Sequence, residues 1–96
     1  MIFNVIFSAE ADETFESIGE QIRARWGDGE VNEFRKRVYK VVDTISKFPS
    51  IFQAVDNTET VRKAFIHKNC SMFYRVDSSY IEVLFFWDNR QDPIFL

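Results

Sequence analysis

Hydrophobic residues open the chain in one short block, Ile2 to Phe7, which is rich in β-branched and aromatic side chains. A block of this length is too short for a surface helix and predicts a strand that is buried on at least one face. Ser8 follows at once and offers a side-chain oxygen to the unpaired N–H groups of a helix start. The pattern therefore predicts a strand that leads directly into a helix.

The hydrophobic period then lengthens to that of a helix. Apolar residues recur every three or four positions and predict one buried stripe, formed by Ala11, Phe15, Ile18, Ile22 and Trp26. Burial of the Trp26 indole against a sheet is part of this prediction. Arg23 and Arg25 suit the last turn of the helix, Gly27 suits its end, and Asp28-Gly29 is the expected corner.

A second amphipathic helix is predicted after this corner. Its apolar stripe consists of Val31, Phe34, Val38, Val41, Val42, Ile45 and Phe48. Pro49 ends the helix, because the residue before a proline is pushed away from helical geometry. The short connection predicts that the two helices form an antiparallel hairpin. Residues 50–60 are expected to be an irregular connection.

The last third of the chain returns to the two-residue period of strands. The expected strands are Val61 to Lys68, Cys70 to Val76, and a nearly all-apolar central strand that contains Ile81, Val83, Phe85 and Trp87 on one face. Lys68-Asn69 is the expected hairpin turn. The sequence thus predicts a single α+β domain over residues 1–96, in the order β-α-α-β-β-β. In this domain the helical hairpin packs on one face of an antiparallel sheet.

Composition supports a folded chain: 46% of the residues are hydrophobic, 17% are aromatic, and only three are glycine. No apolar run approaches the roughly twenty residues of a membrane-spanning helix, and we expect no signal peptide, because no basic segment precedes an apolar one near Met1. Cys70 is the single cysteine and cannot close an internal disulfide. We therefore expect a cytoplasmic protein without a membrane partner.

Charge is strongly segregated along the sequence. Residues 1–34 carry a net charge of −6, residues 35–75 carry +6, and residues 76–96 carry −3. The basic middle could face a polyanion or an acidic partner. Alternatively, the three blocks interleave in space, so that the asymmetry disappears on the folded surface.

The sequence offers little for metal, nucleophilic or carboxylate chemistry. His67 and Cys70 lie three residues apart with no second pair of ligands, so no metal and no cofactor are expected. Cys70 falls on an apolar strand face and is expected to be a small buried hydrophobe. The acidic run from Glu10 to Glu20 is expected to be a solvated helix face rather than a catalytic acid/base pair.

Basic residues of the predicted sheet form the main candidate site: Arg62, Lys63, His67, Lys68, Arg75 and Arg90. Strand alternation is expected to place Arg62 and Lys68 on one face, and Lys63 and His67 on the other. Such a group can hold phosphates through charge-assisted hydrogen bonds. The alternative is that these residues keep a solvent-facing sheet soluble and protect its edge.

The order of several short motifs resembles the RelE/ParE toxin superfamily of type II toxin–antitoxin systems, which includes plasmid stabilisation proteins. These motifs are Phe3-x-Val5-x-Phe7-Ser8-x-x-Ala11, Arg25-Trp26-Gly27, Ile45-Ser46-Lys47-Phe48-Pro49, Val61-Arg62-Lys63, Met72-Phe73-Tyr74-Arg75-Val76, and the segment from Val83 to Pro93. The resemblance implies a small toxin that a cognate antitoxin wraps and neutralises. RelE-type members cleave mRNA in the ribosomal A site, whereas ParE-type members poison DNA gyrase without being nucleases.

Individual residues bear on which branch the chain resembles. Arg90 stands where one arginine of the family would lie, and Arg62 is near a lysine position of the family. Ser71, however, stands where an arginine is expected, and the chain ends Pro93-Ile94-Phe95-Leu96 without the C-terminal Tyr or His. The acidic balance, with a pI of about 5.1, also weakens binding to a phosphate-rich ribosome. The ParE-like, non-enzymatic interpretation is therefore favoured.

Two alternatives stay open from the sequence. One is a ribosome-dependent endoribonuclease that uses Arg62, Lys63, His67, Arg75 and Arg90, and the other is a toxin-fold binding module that has lost toxicity. For the favoured function, the expected partners are the antitoxin, in a hetero-oligomer, and gyrase, with the ribosome as the target in the nuclease alternative. The residues expected to contact these partners are Arg62, Lys68, Arg90, Phe52, Ile94 and Phe95.

Overall fold

The computed structural model of this protein describes residues 2–90. Its elements are β1 (Asn4–Phe7), α1 (Ala9–Trp26), α2 (Asp28–Lys47), β2 (Val61–His67), β3 (Cys70–Val76) and β4 (Tyr80–Asp88). The predicted order β-α-α-β-β-β and the α+β class are confirmed. The connection between α2 and β2 is irregular, as expected, apart from one bridge between Ala54 and Arg62.

The four strands form one sheet in the order β1-β4-β3-β2, with β4 in the interior. β2, β3 and β4 are antiparallel to their neighbours, but β1 pairs with β4 in parallel. The sheet is therefore mixed, not antiparallel throughout. A parallel pair needs a long crossover connection, and here the helical hairpin, β2 and β3 all lie between the two paired strands in sequence.

Ser8 joins the first strand, the first helix and the central strand. Its Oγ accepts a hydrogen bond from the N–H of Ala11 at 3.0 Å and so caps α1, as the sequence predicted. Its hydroxyl also donates to the carbonyl of Leu84 at 2.7 Å, and its N–H donates to the carbonyl of Val83. The start of α1 is therefore fixed to β4.

The corner between the helices lies one residue earlier than predicted. Gly27 has a φ of 94°, which favours glycine because it carries no Cβ, and its N–H donates to the carbonyl of Arg23. Asp28 already begins α2, so that Asp28-Gly29 forms the first turn of that helix. A single glycine is thus enough to reverse the chain.

The core lies between the helical hairpin and one face of the sheet. Its largest members are fully buried: Phe34, Val38 and Ile45 from the helices and Met72, Tyr74, Ile81, Val83 and Phe86 from the strands. Phe15 extends this core by stacking on Phe34, with ring centroids 5.5 Å apart. Trp26, in contrast, is 52% exposed, so its predicted burial is wrong. The last turn of α1 leaves one side of the indole in solvent.

Two β-bulges change which residues share a face. The register shifts between Phe65 and His67 in the β2–β3 pair, and between Phe73 and Tyr74 in the β3–β4 pair. Because a bulge adds one residue to a strand, it reverses the alternation beyond it. Phe86 therefore shares the core face with Ile81 and Val83, whereas Phe85, predicted on the same face as those two residues, stacks on Phe73 on the opposite face.

Candidate functional site

The structure distributes the candidate basic residues over three separate regions. Arg62 lies at the start of β2, Lys63 and Arg75 lie on the sheet face away from the helices, and His67, Lys68 and Arg90 lie at the other end of the sheet. His67 pairs with Cys70, a core residue, so the bulge turns it toward the helices. The expected grouping of Lys63 with His67 on one face is therefore wrong.

Arg62 is used to hold the irregular connection, at what we call the loop end of the sheet (residues 48–62 and Tyr74). Its Nη1 donates to the carbonyl of Phe52 at 2.7 Å and more weakly to that of Ser50. Its Nε is buried without a hydrogen-bond partner among residues 2–90. The Tyr74 hydroxyl donates to the carbonyl of Pro49 at 2.7 Å. Both side chains face inward and anchor the backbone of the connection.

Lys63 and Arg75 also have intramolecular neighbours. The Lys63 ammonium lies 6.0 Å from the centre of the Phe73 ring, at the limit of a cation–π contact. The guanidinium of Arg75 donates to the carboxylate of Glu82, its cross-strand partner in β4. On this face of the sheet the positive charge of Arg75 is thus neutralised locally.

A cleft of about 620 Å³ opens between the helical hairpin and the β2–β3 turn. We call it the Trp26 cleft. It is lined by Ile22, Trp26, Glu30, Glu33, Phe34, Arg37, Phe65, His67, Lys68 and Asn69. Its volume lies within the range of roughly 300–1,000 Å³ that is typical of ligand sites. The floor is apolar, whereas the rim carries charges of both signs.

Trp26 is flanked by two guanidinium groups at the edge of this cleft. The Arg25 and Arg90 Cζ atoms lie 5.3 Å and 5.6 Å from the centre of the indole ring. Arg90 is fixed in this position by Asp88, through Nε to Oδ1 at 2.9 Å and Nη2 to Oδ2 at 2.7 Å. The hydrogen bond from Arg90 lowers the pKa of Asp88, so this pair stays charged.

The hydrogen bond and the pKa of His67 describe the electrostatic environment of the cleft. Its Nδ1 accepts a hydrogen bond from the N–H of Asn69 at 3.0 Å. Burial lowers the pKa of His67 below 6.5, and the nearby charges of Arg37, Lys68 and Arg90 lower it further. The imidazole is therefore neutral at pH 7, in surroundings that disfavour an additional positive charge.

Cys70 is buried, as predicted, and burial raises the pKa of its thiol to about 12. A thiol with such a pKa carries almost no thiolate at neutral pH and is not a nucleophile. Ser71, at the position where the resemblance implied an arginine, is also buried, and its Oγ accepts a hydrogen bond from Asn89 Nδ2 at 3.0 Å. Ser71 thus supplies a neutral structural contact where a cation was expected.

The remaining candidates differ in how far the structure describes them. Phe52 is half-buried and packs against the core, while Lys68 is exposed at the turn after β2. Ile94 and Phe95 lie outside residues 2–90. Within that described range, no helix is long and apolar enough to cross a membrane, and no cluster of His, Cys, Asp or Glu could hold a metal ion.

Sequence reasoning missed the residues that form the cleft around His67. Trp26 was assigned to the core, and Arg25, Arg37 and Asp88 were not considered as site residues. The adjacent pair Arg25-Trp26 at a helix end and the basic run at residues 35–37 were the available signals. Neither indicates that the two helices meet the β2–β3 turn at one cleft.

The sequence matches the profile of the ParE toxin of type II toxin–antitoxin systems, parDE, over residues 5–93. A match over nearly the whole length shows the family. The fold described above is thus that of a type II system toxin, and this chain belongs to the ParE toxin family. No functionally curated protein matches the sequence at significant similarity.

Solved structures share the fold at low sequence identity. A chain from the chromosomal ParDE toxin–antitoxin system of P. aeruginosa superposes with a TM-score of 0.75 at 12% identity, covering 91% of this chain and 96% of that one. YoeB from Staphylococcus aureus gives 0.62 at 14%, covering 88% and 94%. A chain of the E. coli DinJ-YafQ toxin–antitoxin complex gives 0.59 at 9%, covering 94% and 96%.

Proposed function

We propose that this ParE-family toxin acts by binding a protein target, DNA gyrase, that it does not cleave RNA, and that a cognate antitoxin neutralises it. The observation that carries this proposal is the use made of the candidate cleavage residues. Arg62 holds loop carbonyls, Arg75 pairs with Glu82, and Arg90 pairs with Asp88. Each guanidinium is committed within the protein, and the three lie in separate regions.

RNA cleavage requires a different arrangement. A group that accepts a proton from the 2′-hydroxyl must lie close to cations that stabilise the charge developing on phosphate. His67 faces the helices beside Arg37 and Lys68, whereas Lys63 and Arg75, two of the candidate cleavage residues, belong to the opposite face of the sheet. The buried Ser71 adds no charge to either group. These placements favour a toxin that acts through surface contacts.

Family membership supports the antitoxin part of the proposal. The family is that of the toxin of a type II toxin–antitoxin system, and solved structures with the same fold include a YoeB-YefM complex from Staphylococcus aureus. Exposed aromatic side chains offer area for a protein partner: Trp26 is 52% exposed, Phe48 63% and Phe65 62%.

The function is tested by inducing the protein in a bacterial host and reading plasmid topology and mRNA primer extension from the same culture. We expect altered supercoiling or gyrase-linked DNA breaks, with intact mRNA. A supercoiling assay with purified gyrase and purified toxin should show inhibition that disappears when the antitoxin is added.

Variants separate this function from its alternatives. Arg90→Ala and His67→Ala should leave mRNA intact, like the parent protein. Codon-phased mRNA cuts that Arg90→Ala abolishes would establish the endoribonuclease instead. Normal growth and normal topology at full expression would identify a binding module without toxicity.

A further inference from the structure

We propose that the Trp26 cleft is the docking site for an acidic, amphipathic segment of the antitoxin, which inserts an apolar side chain between Trp26 and Phe65. This inference rests on the proposed function and adds the place and the chemistry of recognition. It uses a surface on the helix side of the sheet.

Apolar surface is the first support for this assignment. Ile22 and Phe34 form a buried floor, and Trp26 and Phe65, which also line the cleft, are each more than half exposed. Exposed aromatic residues around a pocket of this size are typical of the anchor sites of protein interfaces. A side chain that fills the pocket would remove both rings from water.

The basic residues on the rim favour a partner that carries acidic residues. Arg37 and Lys68 line the cleft and form no ion pair within residues 2–90, so their donors are available to a ligand. Arg25 lies beside Trp26 and adds positive charge at the same end, whereas Arg90 on the indole is paired with Asp88. Carboxylates that flank the apolar anchor would meet these cations on binding.

The acidic residues of the rim argue against a nucleic acid in the same place. Glu30 and Glu33 line the side formed by α2. A continuous phosphate backbone would run past both carboxylates, whereas a peptide can position its own acidic residues against Arg37 and Lys68 only. The mixed rim therefore fits a peptide with few, spaced charges better than a polyanion.

The bulge in β2 determines which side chains of this strand line the cleft. It turns His67 from the outer face into the cleft, next to Arg37, and so places a neutral imidazole where regular alternation would place another side chain. Bulges are found where a strand must redirect a side chain. His67 Nδ1 is occupied by Asn69, so its other ring nitrogen is the one that can donate to a ligand.

The test measures affinity between the purified toxin and its antitoxin, by calorimetry, for matched variants. Trp26→Ala and the double variant Arg37→Glu/Lys68→Glu should each weaken binding at least tenfold. Phe65→Ala should weaken it more than Phe48→Ala, because the two rings are equally exposed but only Phe65 lines the cleft. Lys40→Glu, on α2 outside the cleft, should change affinity less than threefold.

Folding is checked for each variant by circular dichroism and thermal unfolding. A direct readout is the emission of Trp26 in a Trp87→Phe background, where Trp26 is the remaining tryptophan. Antitoxin binding should shift this emission to shorter wavelength. Single-stranded RNA serves as the competing probe and should leave it unchanged.

The outcomes separate the site from the function. Unchanged affinity in Trp26→Ala and in the double variant would overturn the site while leaving the toxin–antitoxin function intact. Absence of any antitoxin binding by the parent protein would overturn both. A shift of Trp26 emission with RNA but not with antitoxin would assign the cleft to nucleic acid and overturn the proposal.

Discussion

The two ends of the sheet use arginine in opposite ways. At the loop end, Arg62 donates to the carbonyls of the irregular connection, and Tyr74 anchors the same segment from below. At the Trp26 cleft, Arg37 forms no ion pair within residues 2–90, and Arg25 lies on the surface of the indole. Arg62 thus stabilises the fold at the loop end, whereas Arg37 remains available to a partner at the cleft, where Arg90 is paired with Asp88.

The largest loss of unfolding free energy is expected at the loop end, for a buried aromatic residue. Tyr74 is fully buried and its hydroxyl is bonded to Pro49. Tyr74→Ala should lower the free energy of unfolding by about 3–5 kcal/mol, because it leaves a large cavity. Urea unfolding followed by circular dichroism measures this, with Tyr39→Ala as the control, since Tyr39 is 61% exposed. Equal losses in both variants would contradict the assignment of Tyr74 to the core.

Arginine substitutions test the difference between Arg62 at the loop end and Arg37 at the cleft. Arg62→Ala leaves the carbonyls of Phe52 and Ser50 without their donor and should cost about 1–3 kcal/mol. Arg37→Ala in the cleft should change stability by about 0.5 kcal/mol or less, because no ion pair within residues 2–90 is lost. The same unfolding assay compares them. A larger loss for Arg37→Ala would reverse the roles assigned to the two ends.

The two ends should also respond to different ranges of pH. His67 in the cleft has a pKa lowered from 6.5, by burial and by Arg37, Lys68 and Arg90. Its contribution to stability is complete above pH 6.5 and is lost as the pH falls through the lowered pKa, because the unfolded chain binds the proton first. His67→Gln should remove this dependence. An unchanged pH profile in that variant would exclude His67 as its source.

Asp56 gives the loop end its own pH response, in acid. Hydrogen bonds, chiefly from Thr58, lower the pKa of Asp56 from 3.8. Its contribution is present above pH 3.8 and is lost only as the pH falls through the lower folded pKa. Asp56→Asn should therefore flatten the acid limb of the stability profile and leave the neutral range unchanged.

Trp26→Ala should have only a small effect on stability for so large a truncation, about 1 kcal/mol, because the indole is half exposed. A binding role predicts that this variant folds normally and fails only with a partner. If urea unfolding shows a loss of 3 kcal/mol or more in the free energy of unfolding, Trp26 is buried after all, as the helical stripe predicted.

Much of the fold was predictable because its signals are local. Ser8 as a helix cap, the two apolar stripes and the turn at Lys68-Asn69 each depend on a few neighbouring residues. The parallel pairing of β1 with β4 depends on residues about seventy-five positions apart, and no local pattern specifies it. The family resemblance, spread over the whole chain, was confirmed by the match over residues 5–93.

The site was harder to predict than the fold for two physical reasons. Helical periodicity gives the direction in which Trp26 points, but not whether the sheet extends far enough to cover the end of α1. Strand alternation fails after a bulge, and the bulges beside His67 and Tyr74 leave no clear signature in the sequence. The predicted partner-binding and cleavage roles of the basic residues stay predictions.

The pairing of the first strand with the last also has a consequence for the newly made chain. During synthesis the helical hairpin can form early from neighbouring residues, while β1 has no partner until Tyr80 to Val83 leave the ribosome. Closing so long a loop is also entropically costly and slows folding. The sheet of this toxin is therefore completed only after all four strands have been synthesised.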